Sequence, residues 1–135
     1  MFHRSTLRMA LVGLMLSGTV LPASAKDIIV HMKNKGAEGD VIRFQPTDAS
    51  HNAETMATML PAGATPMKGG MNKEAVLTVT KSGLYGIKCM PHYSMGMVAL
   101  IQVGKPTAAD IAAAKAVKLP PFAAKRMTAM LTKVR

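Results

Sequence analysis

Cys89 opens the segment Cys89-Met90-Pro91-His92-Tyr93-Ser94-Met95-Gly96-Met97, which sets a thiol, an imidazole and a thioether within nine residues. It is the only cysteine in a chain of 135 residues. A second imidazole, that of His51, lies in a polar stretch well upstream. A thiolate, two imidazoles and a weakly held methionine sulfur are the donor set of a blue-copper electron-transfer centre. Cys89, His51 and His92 would form the near-trigonal set, with Met97 as the long axial ligand. That geometry suits both Cu(I) and Cu(II), so little rearranges when an electron is gained or lost. Each residue alone has a plainer reading: a core cysteine, a solvated histidine, one methionine among thirteen. Together they point to copper.

These side chains need elements to bring them together. Short apolar or alternating runs bounded by Gly, Pro, Asn and Asp fill the middle of the chain, and they predict strands at Asp27 to Met32, Val41 to Gln45, Ala75 to Thr80, Leu84 to Cys89 and Met97 to Val103. Several short strands separated by turns predict a mainly β fold, a sandwich or a barrel. Asn52 to Met71 carries Pro61, Gly63, Pro66, Gly69 and Gly70 and reads as a long loop, with a helical turn near Glu54 to Met59. From about Thr107 the character changes. Thr107 can cap an alanine-rich run to Val117, and Leu119-Pro120-Pro121 interrupts it. Phe122, Met127, Met130, Leu131 and Val134 then recur near helical spacing, so two short helices are expected to pack on the sheets. Cys89 would end one strand, and His92 and Met97 would come from the loop beyond it. His51 must come from another loop, so the site forms only on folding.

The N-terminus reads as an export signal. Arg4 and Arg8 give a positive start, Met9 to Val20 a short apolar stretch, and Leu21-Pro22-Ala23-Ser24-Ala25 a small-x-small end suited to cleavage after Ala25. The alternative, a retained anchor, requires roughly 20 apolar residues, more than this stretch supplies. Residues 26–135 then form one domain. Fifteen basic residues against seven acidic ones leave that domain a net charge of +8, which favours acidic partners and speeds encounter with them. Export and the scarcity of aromatic residues argue against nucleic acid. In an oxidising compartment a solitary cysteine has no internal disulfide partner and is buried, reactive or a metal ligand.

Longer matches carry a resemblance. His31-Met32-Lys33-Asn34-Lys35-Gly36, Phe44-Gln45-Pro46-Thr47-Asp48, His51-Asn52-Ala53-Glu54-Thr55, Gly83 through Tyr93 and Met95-Gly96-Met97-Val98 resemble the cupredoxins, and among them the pseudoazurin family most closely. The two-residue gap from Cys89 to His92 and the four-residue gap to Met97 fit pseudoazurins and plastocyanins. They differ from the shorter amicyanin loop and from the azurin spacing. The helical tail favours the pseudoazurins. The resemblance implies a Greek-key β-sandwich and a soluble, monomeric, periplasmic one-electron carrier, not an enzyme. It also implies copper held by His51, Cys89, His92 and Met97, and delivery of electrons to denitrification enzymes such as copper nitrite reductase. In this family the ring edge of the loop histidine, here His92, is the exit for the electron. An apolar patch surrounds it, and lysines beyond the patch attract acidic partners; Lys35, Lys68 and Lys88 stand at such positions. His31 matches as well and could titrate near neutral pH; a surface residue without a role is the other reading. One departure stands out: before Asp40 the family carries about fourteen further residues, enough for a strand and its turn. Their loss would leave the first sheet short, either rebuilt with fewer strands or less stable.

Two other functions compete with electron transfer. Met90, Met95 and Met97 beside the site would suit a copper store or delivery protein, although a closed four-ligand set argues against release. A Cys-His hydrolase lacks an orienting acid and an oxyanion motif near Cys89 and His92. Two neighbours should tune a copper site. Asn52, next to His51, is placed to tie the two ligand loops together. Pro91 lacks an N–H, so it donates no hydrogen bond to the thiolate, which leaves the sulfur electron-rich and favours Cu(II). Pro91→Ala or Pro91→Ile is therefore expected to raise the reduction potential measured by voltammetry; an unchanged or lower value contradicts this account.

Overall fold

The computed structural model describes residues 37–135. The export segment, the strand expected at Asp27 to Met32, His31 and Lys35 lie outside the described residues. Alternation builds the sheets. In β1 (Ala75–Thr78 being its partner, β3), residues Val41–Phe44 turn Ile42 and Phe44 toward the core. In β3, Ala75 and Leu77 face inward while Val76 and Thr78 face out, the period-two pattern of a half-buried strand. The two pair antiparallel, Val41 opposite Thr78 and Phe44 opposite Ala75. On the outer side Glu74 joins them, accepting hydrogen bonds from Arg43 at 2.6 Å and Gln45 at 2.8 Å. The Gln45 amide, followed by the Arg43 guanidinium, holds the Glu74 carboxyl below its ordinary pKa.

A second sheet has the order β2-β4-β5, with β2 at Glu54–Thr55, β4 at Gly83–Lys88 and β5 at Val98–Val103, all antiparallel. It is the middle layer of the fold. Tyr85, Ile87, Ile101 and Val103 on one face pack with Leu77 of β3 and with Val79 just beyond its end. Leu84 and Leu100 on the other face pack with Met56, Met59 and the two helices. β4 is accordingly buried on both sides, which is why it reads as a nearly continuous apolar run.

Helix α1 (Ala108–Ala116) begins at a capping box in which Thr107 and Asp110 satisfy each other's backbone N–H groups. Those bonds from Thr107 hold the Asp110 carboxyl below its usual pKa. Helix α2 (Pro121–Leu131) opens with proline in its first turn, where a missing N–H costs nothing, and buries Ala123, Met127 and Leu131 at four-residue spacing. None of the described helices is long and apolar enough to cross a membrane.

The structure departs from the sequence expectations in three places. The region read as loop and helical turn contains the strand β2, and the turn is a 3-10 turn confined to Ala57–Met59. Glu54 and Thr55 are strand only because Lys88 and Ile87 lie opposite them, a contact invisible in local propensity. Phe122 is not a core residue but 65% exposed. At 100° per residue it falls well off the line of Ala123, Met127 and Leu131. Strand ends also move inward: β1 stops at Phe44, β3 at Thr78 and β4 at Lys88.

Gly86 lies on the helix-side face of β4, under the methionines. A Cβ there would sit 2.5 Å from Met56 Cε, 2.8 Å from Met59 Sδ and 2.9 Å from Met59 Cβ. Gly86→Ala is therefore expected to overpack this layer and lower the unfolding free energy by about 1–3 kcal/mol in a urea melt.

Candidate metal centre

Strand parity decides where Cys89 points. Tyr85 and Ile87 face the inter-sheet core, so Cys89, two residues on, faces the same way at the rim, where it is buried. The ladder continues one step past β4, because the Cys89 N–H donates to the Met97 carbonyl at 3.0 Å. Between them the chain folds back through short turns: the His92 N–H donates to the Cys89 carbonyl at 3.2 Å and the Met97 N–H to the His92 carbonyl at 3.1 Å. Gly96 adopts φ +87°, and a Cβ there would lie 3.0 Å from the Phe122 carbonyl oxygen. Glycine is needed at that point on both counts.

His51 arrives from the other side on a loop fixed by Asn72. The Asn72 side chain accepts from the Ser50 N–H, and its own N–H donates to the His51 carbonyl at 2.8 Å. Ser50 and Asn72 both have positive φ, 69° and 59°, a region that asparagine tolerates better than most residues. Asn52 links this loop to the other: its Oδ1 accepts from the Met90 N–H at 2.7 Å and its Nδ2 donates to the Gly69 carbonyl at 3.3 Å.

Three donor atoms then meet. Cys89 Sγ lies 3.6 Å from Nδ1 of His51 and 3.6 Å from Nδ1 of His92, and the two nitrogens are 3.1 Å apart. The ring centroids stand 4.6 Å apart with planes at 50°. For a triangle with these sides the equidistant point is about 2.0 Å from each corner, a bonding distance for a transition metal to imidazole nitrogen. These are the only His, Cys, Asp or Glu side chains among the described residues that group in threes around such a point. One soft sulfur with two imidazoles suits copper and excludes the hard oxygen-seeking cations. The donor set therefore fits a copper ion. Met97, the fourth candidate, is half-buried at the end of the loop, directly across the ladder from Cys89.

The remaining sequence candidates fall in different settings. Pro91 is exposed on the loop, Lys68 is exposed opposite Glu54, and Lys35 lies outside the described residues. Lys88 is not a free surface cation. Its Nζ is 3.2 Å from Glu54 Oε1 and 5.2 Å from the centroid of the Tyr93 ring, and its side chain is 21% exposed. In the loop that carries His92, Met90 is 51% and Met95 63% exposed, and Met71, next to Asn72 of the His51 loop, is 46% exposed. The sequence reading missed Asn72, Glu54 and Tyr93. Only Asn72 carried a local sign, an asparagine in a Gly-rich turn.

A two-sheet β-sandwich with a buried cysteine and two histidines converging at its rim is the frame of a cupredoxin, a class of copper proteins that move electrons and are not enzymes. The model for copper binding proteins of the plastocyanin/azurin family matches residues 26–104. A pseudoazurin of Paracoccus pantotrophus is 43% identical over 148 aligned positions, covering 99% of each chain. A pseudoazurin of Methylorubrum extorquens is 39% identical, covering 87% of this chain and 88% of its own. The crystal structure of native pseudoazurin from Hyphomicrobium denitrificans superposes with a TM-score of 0.70 at 46% identity, over 75% of this chain and 80% of that one. The chain belongs to the plastocyanin/azurin family of copper-binding proteins and, within it, to the pseudoazurins. The alignment of 148 positions exceeds the 135 residues present, so more than a dozen positions of the Paracoccus alignment have no residue here.

Asn52→Ala removes the acceptor of the Met90 N–H and the donor to Gly69 together. The expected result is a loss of about 1–3 kcal/mol in stability and faster release of copper to a chelator, followed by stopped-flow absorbance.

Proposed function

We propose that this protein is an exported, monomeric one-electron carrier of the periplasm, cleaved after Ala25, that holds one copper through His51, Cys89 and His92 with Met97 as the weak axial ligand. The observation that carries this reading is the triangle of two nitrogens and one sulfur, sized for a single ion. Copper bound there supplies one-electron chemistry by cycling between Cu(I) and Cu(II). The chain's own residues do the rest. Cys89 is buried at the end of β4, and the two imidazoles reach it from separate loops. Asn52 and Asn72 hold the His51 loop, while Pro91 withholds a hydrogen bond from the sulfur. The half-buried His92 ring, with exposed Met90, Pro91 and Met95 beside it, offers a short path outward and an apolar contact for a transient complex. The proposed partners are acidic redox proteins, copper nitrite reductase among them, drawn by a domain of net charge +8 through cations such as Lys68 and Lys35.

The first measurement is the visible spectrum of the mature protein with Cu(II). An intense blue or green thiolate band that bleaches with ascorbate and returns with ferricyanide is expected, and Cys89→Ser should abolish it. Electron transfer to a copper nitrite reductase should then slow steeply as salt rises, because screening removes the steering charge. A protein that binds copper only as colourless Cu(I) would be a store or delivery protein instead, and the electron-carrier reading would fail.

A further inference from the structure

Three side chains close to the metal donors form a group with no part in the function so far described. Glu54 stands three residues after His51 and is 7% exposed. Lys88 immediately precedes Cys89, and Tyr93 immediately follows His92. The Lys88 ammonium reaches the Glu54 carboxylate at 3.2 Å and lies 5.2 Å from the Tyr93 ring centroid, within cation–π range. All three share the helix-side face of the middle sheet, where Tyr93 also packs on the cluster of Met56, Met59 and Leu100. Cys89, one residue beyond Lys88, faces the opposite side of the sheet.

We propose that Glu54, Lys88 and Tyr93 are positioning residues, a brace that locks the His51 segment, the Cys89 strand and the His92 loop to one another behind the metal centre. This rests on the copper reading of the site. The argument is geometric. A buried carboxylate would be strongly disfavoured without its partner, so Lys88 is held in place by Glu54 and cannot swing to solvent. With its ammonium so fixed, Lys88 presents a localised charge to the face of Tyr93 and draws in the residue adjoining His92. One cation thus ties the His51 segment to the Cys89 strand, more than thirty positions further along the chain, and both to the start of the His92 loop. Backbone pairing alone leaves this join weak, because β2 is two residues long and the loop after Cys89 has no strand partner. A brace of this kind keeps the donor triangle from relaxing when the ion's charge changes.

A structural pair and a positioning brace differ in one experiment. Lys88→Met alone leaves a buried unpaired carboxylate and is expected to destabilise the fold; Glu54→Gln with Lys88→Met removes both charges and is expected to recover the melting temperature of the copper-free protein. Amide hydrogen exchange in that copper-free double variant should nevertheless be about tenfold faster at His51 to Thr55 and His92 to Gly96. Copper-loaded, the double variant should show a shifted thiolate spectrum. Tyr93→Leu should speed exchange only in the His92 to Gly96 segment. Native exchange rates in the double variant, or a native spectrum with copper bound, would overturn the brace. Failure of the unaltered protein to give a coloured copper form would overturn the copper reading instead, and the exchange measurement would still judge the brace.

Discussion

Two imidazole nitrogens and a sulfur stand within 3.6 Å of one another at the rim of the sandwich. Their lone pairs repel unless a proton or a cation lies between them, and two of the three sit on loops. The frame must therefore supply the convergence, and much of the architecture is explicable as the means of doing so. A ligand set fixed in advance leaves the metal little freedom to choose its own coordination, which is the condition for exchanging charge with little reorganisation.

The frame works through β4. Because this strand is buried on both faces, it cannot shift without disturbing both the inter-sheet core and the layer beneath the helices. It delivers Cys89 to the rim with its orientation set by parity. β5 returns from the same rim, so Met97 is delivered by the register of the pair, Lys88 opposite Val98. His51 has no such strand of its own. It depends on side-chain hydrogen bonds from Asn72 and Asn52 and on the short β2 that follows it. The site is thus rigid on one side through sheet pairing and on the other through polar links between loops.

What was legible in the sequence divides along the same line. The spacing of Cys89, His92 and Met97 is local, and so is the alternation of Val76, Leu77 and Val79. Strand β4 and the capped helix after Thr107 are similarly encoded over short windows. The strand β2 was not legible, since two residues carry no period and their partners lie more than thirty positions away in β4. Glu54 and Lys88 look like ordinary surface charges until the fold places them opposite each other. Phe122 misled because an aromatic near helical spacing resembles core, while its actual neighbour is the Gly96 turn, set beside it only by tertiary packing.

That contact between Gly96 and Phe122 makes the last helix part of the surroundings of the ligand loop. A chain cut short before that helix would keep all four candidate donors yet lose the wall behind the turn between His92 and Met97.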